Sequence, residues 1–312
     1  MAETQAGRIV VFGGSGFLGR HIVRRLAKQG HALRIVVRRP NEALFLKTAG
    51  RVGQIEIVHG NIRDEASTRA ALDGATAVIN AVGILYESGR QKFDAVQGAG
   101  AARLAAIAQS EGVAQFIQIS AIGADASSAS AYARSKAEAE AAILAIYPDA
   151  HILRPSIVVG PEDDFFNRFA GMAQLAPGLP LIGGGLTQYQ PVSVFDVAQG
   201  VAACLAGAPA GIYELGGPQI FTFRELMELM LEKIGKTRLL VPLPFAVASM
   251  LAQLTRFLPK PPLTPDQVIL LRSDNVVGED AADLAALGVE ATPIALLLDS
   301  YLGRYRGASK AV

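Results

Sequence analysis

The sequence predicts an α/β fold: a doubly wound parallel sheet with helices on both faces, followed by a smaller, mostly helical C-terminal lobe. Three observations predict it. Short runs rich in Val, Ile and Leu alternate with helical stretches through the first half of the chain, the pattern of βαβ units. A glycine cluster stands directly after the first of these runs, where a strand must turn into a helix. Near residue 160 the alternation gives way to Pro/Gly-rich stretches and helices, which sets the expected domains at 1–160 and 161–312.

Taken in order, residues 8–12 are a continuous apolar run, and 17–29 carry the spacing of an amphipathic helix. Strands are expected at 32–37, 54–58, 75–81, 114–120 and 151–154. Helices at 41–49, 64–72, 91–110 and 129–146 separate them, giving a Rossmann-type domain. Beyond it come a Pro/Gly-rich stretch at 177–191, a short strand at 212–215, and helices near 195–207, 222–234, 244–257, 265–272, 280–287 and 293–304. There is no internal repeat.

Composition narrows the class. Of 312 residues, 51% are hydrophobic and 18% charged, too apolar for a disordered chain. The two longest uncharged runs, 169–195 and 239–255, are broken by prolines and glycines or are too short for the roughly 20 residues of a spanning helix. The N-terminal residues lack the basic region and long apolar core of a secretory signal, which predicts the cytoplasm. One cysteine, Cys204, allows no internal disulfide, and His21, His31, His59 and His151 have no metal-ligand spacing, so no metal is expected. The net charge of +1 hides an asymmetry: residues 1–51 hold ten basic side chains against Glu3 and Glu42. Such an end suits nucleic acid, an anionic lipid or a phosphorylated cofactor.

The motif inside that end decides for the cofactor. In VVFGGSGFLGR, Gly13, Gly16 and Gly19 recur every three residues, with Phe17 and Leu18 opening the helix. Glycines serve the tight turn, the close approach of backbone to a pyrophosphate and the packing of helix on sheet. At the end of the second strand stand Arg34, Arg38 and Arg39, with Arg20 as a helper, where a carboxylate would select a free ribose hydroxyl. Guanidinium groups pair with a 2′-phosphate, so Arg38 or Arg39 predicts NADP(H) over NAD(H). Asn61 and Ile62 follow the third strand on the adenine side; Ala81, Val82 and Gly83 follow the fourth, near the cofactor ribose. Turn formation explains these two segments equally well. Nucleic acid is not an expected partner, because the basic residues flank a dinucleotide loop.

AYARSKAEAE sets Tyr132 and Lys136 four apart, on one helix face. With a strand ending at Ser120, this resembles the short-chain dehydrogenase/reductase superfamily, whose Tyr-x-x-x-Lys pair moves the substrate proton while the lysine holds the nicotinamide ribose. A phenol near pKa 10 must fall by about 3 units to act as a base at neutral pH, roughly 4 kcal/mol, which a neighbouring ammonium helps supply. The superfamily also uses a Ser or Thr after the fifth strand. Here that position falls on Ser120 or on Ala121, according to the alignment chosen, which puts turnover in doubt more than binding.

The second half narrows the resemblance. ILRPSIVVGPEDDFFNRFA, LPLIGGGLTQYQPVSVFDVAQGV, YELGGPQIFTFRELMELM and PPLTPDQVILLRSDNVV resemble the atypical short-chain dehydrogenase family of the dehydrogenase-like accessory subunit of respiratory complex I, over almost the whole chain. That resemblance implies a firmly held cofactor and a place near the quinone-reactive arm, with complex I subunits or quinone-pathway proteins as partners and peripheral contact with the inner face of the cytoplasmic membrane. It carries Pro155 and Ser156 onto the turn that covers the nicotinamide. Asp163, Asp164, Phe165, Phe166 and Arg168 fall in its signature segment, where helix capping and core filling explain them as well as function does. Residues 243–258, with one late charge, suit a buried helix, a partner interface or a segment resting on a bilayer. Two functions follow: an accessory component holding NADP(H) with little turnover, or an active oxidoreductase or epimerase on a small carbonyl compound, with Tyr132 moving the proton and Lys136 holding the ribose.

Overall fold

The first strand, β1 (Arg8–Phe12), is buried from Ile9 onward, and its side chains divide between two layers of the molecule. Ile9 and Val11 point to one face of the sheet and Val10 and Phe12 to the other, as the two-residue period of a strand requires. The computed structural model describes residues 7–258 and 261–306. After β1 come α1 (Phe17–Lys28), β2 (Leu33–Val37), β3 (Ile55–His59), α2 (Glu65–Leu72), β4 (Ala75–Asn80), α3 (Ala99–Ser110), β5 (Gln115–Ile119), α4 (Ala131–Ile146) and β6 (His151–Pro155). The second half adds β7 (Val158–Val159), α5 (Asp164–Leu175), β8 (Gly178–Ile182), β9 (Gln188–Tyr189), β10 (Val192–Ser193), α6 (Val194–Leu205), β11 (Gly211–Leu215), β12 (Phe221–Thr222), α7 (Phe223–Lys233), β13 (Leu239–Leu243), α8 (Phe245–Thr255), α9 (Pro265–Leu270) and α10 (Ile294–Leu302).

Seven strands form one parallel sheet in the order β11-β6-β5-β4-β1-β2-β3. The order reverses between β1 and β4, so the loops after these strands diverge and leave a crevice at the carboxyl edge. On one face, Ile9 and Val11 pack with Ile22, Val23 and Leu26 of α1 and Val197 and Val201 of α6. On the other, Val10 and Phe12 pack with Leu72 of α2, Leu104 of α3 and Ile143 of α4. The doubly wound class expected from the alternation is the observed one. A separate core joins α5, α7 and α10 through Phe166, Leu226, Met227, Met230, Leu298 and Leu302.

Several elements depart from expectation for definable reasons. The strand expected in the small lobe at 212–215 is β11, the seventh strand of the sheet, paired along β6. With α6 covering α1, it carries the sheet layer well past residue 160. The helix expected at 41–49 is a three-residue-per-turn coil over Pro40–Ala49, which brings Ala43 and Leu46 to the core at a spacing of three. The helix expected from 91 starts as a π-turn at Asp94–Gly98 and becomes regular only in α3. That turn directs the buried Gln97 inward, where it accepts from the Ile84 amide at 3.0 Å and donates to the Ser135 hydroxyl at 3.2 Å. Residues 280–287 reduce to one short turn at Ala285–Leu287. Among the described residues no helix is long and apolar enough to cross a membrane.

Candidate dinucleotide site at the carboxyl edge of the sheet

The glycine loop is made by close approach. Gly13 has φ +78°, and a Cβ there would lie 2.8 Å from the Ala81 carbonyl oxygen, so the loop after β1 rests against the loop after β4. A Cβ on Gly19 would lie 2.2 Å from the Gly13 oxygen, which is why the first turn of α1 packs directly on the loop. Gly16 begins α1 in extended conformation, and no side chain caps the first turn, which also has no acidic residue. The first amides of a helix lack internal acceptors and sit at the positive end of its dipole. An uncapped, acid-free helix start behind a glycine-rich loop fits a pyrophosphate, with the Phe17 and Leu18 amides at the helix start.

The basic residues divide by role. Arg34 is buried and structural: it pairs with Glu56 at 2.8 Å and donates to the Ala71 and Asp73 carbonyls. Arg20 is held by the Ser15 and Gly16 carbonyls and lies over the Phe45 ring. Arg38 and Arg39 are exposed at the end of β2. Arg38 donates to Gln91 at 2.9 Å, and Arg39 pairs with Glu42 at 2.9 Å. Glu42 competes for the side chain expected to meet a 2′-phosphate.

Asn61 and Ile62 form the turn after β3. Asn61 accepts from the Arg63 amide, and Ile62 is buried against Gly100. Ala81, Val82 and Gly83 follow β4 as expected, the Val82 amide held by the Asn80 side chain. A Cβ on Gly83 would come within 4.0 Å of the Lys136 Nζ, so the loop after β4 borders both the glycine loop and the Tyr–Lys helix. Behind it, Asn80 and Gln118 are buried in the sheet and hydrogen-bonded to each other at 2.8 Å.

Tyr132 and Lys136 share one face of α4, with the ammonium 5.7 Å from the centre of the phenol ring. The Phe93 ring meets Tyr132 edge-on at 5.7 Å. Lys136 is buried, donates to the Ile119 carbonyl at 3.1 Å, and is pushed down to about 8 by burial, against the pull of Glu140. Burial pushes the Tyr132 phenol up to about 12, with the Asp266 carboxylate adding to it. In this state Tyr132 holds its proton throughout the neutral range.

Ser120 faces elsewhere. Its hydroxyl donates to Glu140, which is buried and clamped by Arg154 through Nη2 at 2.6 Å and Nε at 3.0 Å. Arg154 reaches Glu214 of β11 as well. A hydroxyl has one proton to give, and that of Ser120 goes to a buried ion pair. The fold thus brings the glycine loop, the loop after β4 and the Tyr–Lys pair together, while the third hydroxyl points into the scaffold. Glu140 was legible in principle: it lies one further helical turn from Lys136, but only the tertiary structure shows its partners.

Pro155 ends β6, and the Ser156 hydroxyl donates to Asn275 Oδ1 at 2.7 Å. Asn275 reaches the Ile122 carbonyl too, tying the loops after β5 and β6 to a segment more than a hundred residues away. In the signature segment, Asp163 caps α5 by accepting from Phe166 and Asn167, and Phe166 is fully buried. The neighbouring Glu162 was not anticipated. It binds the buried His21 at 2.8 Å and lies near Arg20 and Arg24, fastening the second lobe to α1. Burial holds His21 below its ordinary range despite the Glu162 hydrogen bond.

With this geometry in place, likeness to known proteins can be stated. The model of the NAD dependent epimerase/dehydratase family matches residues 9–216, the stretch that supplies all seven strands of the sheet. The chain belongs to that family. It is 38% identical over 285 residues to the mitochondrial NADH dehydrogenase [ubiquinone] 1 alpha subcomplex subunit 9 of Arabidopsis thaliana, covering 87% of this chain and 71% of the relative. It is 30% identical over 246 residues to a ceramide reductase of Caulobacter vibrioides, covering 78% of this chain and 76% of the relative. Among solved structures, the dTDP-glucose 4,6-dehydratase DesIV of Streptomyces venezuelae, with NAD and TYD bound, superimposes with a TM-score of 0.71 at 22% identity, over 96% of each chain. The resemblance read from the second-half motifs is therefore upheld, and the fold is of the NAD(P)-binding Rossmann type.

Proposed function

We propose that this protein is an accessory or assembly component of respiratory complex I that holds NADP(H) and turns over little or not at all. The observation that carries the reading is the contrast inside one site. The phosphate cradle and the Tyr132–Lys136 pair are intact, whereas the one proton of Ser120 is given to Glu140 and position 121 is an alanine. A site that binds the coenzyme but has no third donor for a carbonyl oxygen suits retention better than catalysis. Kinship with the subunit 9 proteins supports complex I subunits as partners.

NADP(H) is preferred over NAD(H) because Arg38 and Arg39 stand exposed at the end of β2, within reach of water and of a 2′-phosphate. Residues 243–258 do not form a buried helix. In α8 only Ala248 and Ala252 are fully covered, while Val247, Met250, Leu251 and Leu254 are exposed, followed by Phe257 and Leu258. That apolar face is read as the surface a partner subunit covers, with the protein cytoplasmic and held peripherally at the inner membrane face. Any quinone-related role would follow from that placement.

Denaturing the purified protein and identifying the released nucleotide tests the reading. NADP(H) is expected, with Arg39→Glu shifting the preference toward NAD(H) by about tenfold or more. Release of NAD(H) with equal or better affinity would refute the specificity. Flotation with liposomes of the native chain and of Met250→Ser/Leu254→Ser separates partner from bilayer: unchanged recovery in the soluble fraction is expected for both.

A second reading has its own support. The retained Tyr132–Lys136 pair and the ceramide reductase relative favour an active reductase or epimerase on a carbonyl compound, or an enzyme of ubiquinone biosynthesis. The nicotinamide, when bound, supplies or accepts a hydride; Tyr132 would donate the proton to the carbonyl oxygen and Lys136 would hold the ribose. A turnover of NADPH that Tyr132→Phe abolishes without loss of cofactor would establish it over the first.

A further inference from the structure

The segment 261–277 leaves the second lobe and crosses to the Tyr–Lys helix, and its contacts there are specific. Asp266, in α9, places Oδ1 2.7 Å from the Ala131 amide, and its Oδ2 accepts from the Ser130 hydroxyl at 2.8 Å and from the Tyr132 amide at 3.4 Å. The Ser130 hydroxyl is itself the cap of α4, accepting from the Ala133 amide at 3.2 Å. One carboxylate 134 residues from Tyr132 thus accepts from the Ala131 and Tyr132 amides and from the capping hydroxyl at the start of the helix that carries Tyr132 and Lys136. The segment is anchored at both ends. Thr264 and Gln267 form a reciprocal cap on α9, Val268 packs with Ala248 and Ala252 of α8, and Asn275 holds Ser156 and the Ile122 carbonyl.

We propose that Asp266 is a positioning residue for the Tyr132–Lys136 pair: the 261–277 strap fixes the first turn of α4 from the second lobe and sets a carboxylate at the amide of Tyr132. The inference rests on the reading of α4 as the helix that serves the cofactor. Among the described residues, Lys136 of the same helix lies beside the phenol ring, the Phe93 ring meets it edge-on, and Asp266 of the strap accepts from the Tyr132 amide. A carboxylate there favours the neutral phenol, and burial acts in the same direction.

The test uses the full chain labelled with difluorotyrosine, whose more acidic phenol titrates under native conditions. The 19F resonance of Tyr132 is assigned by its loss in Tyr132→Phe. In Asp266→Asn, which keeps an acceptor and removes the charge, Tyr132 is expected to ionise at a pH lower by half a unit or more. Asp266→Glu, which restores the charge, is expected to recover most of that shift. Ser130→Ala, which removes the hydroxyl and leaves the carboxylate, is expected to speed amide exchange at Ala133 several-fold with the phenol unmoved. Each variant is checked by thermal unfolding, and Asp266→Ser replaces Asp266→Asn if the latter does not fold. An unmoved phenol in the uncharged variants, or an equal shift in Ser130→Ala, would overturn the proposal. NADPH binding is measured separately by calorimetry: its absence in the native chain would refute the cofactor reading while leaving the role of Asp266 to be decided by the titration.

Discussion

The two ends of the crevice are built by different means. At the phosphate end, one local run from Gly13 to Gly19 makes the loop, and its geometry follows from the close backbone approaches that Gly13 and Gly19 permit. At the Tyr–Lys end the site is assembled from distant pieces: α4, the loop after β4, the Glu140–Arg154 pair beneath, and Asp266 and Asn275 from the strap. A local device is robust to changes elsewhere and intolerant of change within. A composite one can spend a single side chain on the scaffold, as Ser120 is spent on Glu140, and keep its shape.

Substitutions at the two ends should separate them. The largest effect is expected from Gly19→Ala, whose Cβ would meet backbone atoms at 2.2 and 2.8 Å that cannot step aside. Calorimetry should give a loss of dinucleotide affinity of about a hundredfold or more, roughly 2.7 kcal/mol. Affinity close to native would break the contrast at its stronger end.

Next is Arg154→Met, which leaves the buried Glu140 carboxylate without its cation. Removal of one partner from such a pair destabilises by about 3–5 kcal/mol, to be read from urea unfolding. Cofactor affinity should fall far less than in Gly19→Ala, because the pair supports the scaffold and lies away from the phosphate loop.

Lys136→Met sharpens the comparison through pH. The folded protein holds Lys136 near 8 against an ordinary 10.5, so below about pH 8 the buried ammonium opposes folding. The penalty fades between pH 8 and 10.5, as the unfolded chain alone stays protonated. Without cofactor, Lys136→Met should therefore be more stable than the native chain at pH 7 by about 1–3 kcal/mol, the Ile119 hydrogen bond offsetting part of the gain. The advantage should vanish above about pH 10. A lysine that weakens the fold yet is needed for affinity is one kept for its ligand. Equal stability at both pH values would argue instead for an ordinary structural lysine.

The smallest effect is expected from Glu42→Gln. The Arg39–Glu42 pair is exposed, and such pairs contribute about 0–1 kcal/mol, so the melting temperature should hardly move. Affinity for NADP(H) should rise about two- to threefold with NAD(H) unaffected, since Arg39 loses a competitor for the phosphate.

How much of this was legible in the chain follows from the range of the interactions. The glycine loop was readable because backbone conformation and helix start are set by neighbours in sequence. Tyr132 and Lys136 were readable because a helix repeats every 3.6 residues. The arginines at 34, 38 and 39 looked alike, yet Arg34 lies inside β2 and reaches buried carbonyls, whereas Arg38 and Arg39 follow the strand's end and are exposed. Nothing local indicated that Ser120 would choose Glu140, that α8 would lie with its apolar face uncovered, or that β11 would complete the sheet.

By itself, then, the sequence determined the layer architecture, the phosphate cradle and the spacing of the Tyr–Lys pair, because apolar periodicity, glycine sterics and helical pitch act over a few residues. The tertiary structure alone decided which donors are spent on the scaffold, which arginines remain in solvent and which lobe caps α4. Those outcomes depend on which side chains the folded chain brings within hydrogen-bonding distance, as with Asp266 and Ser130, and no spacing along the chain encodes that encounter.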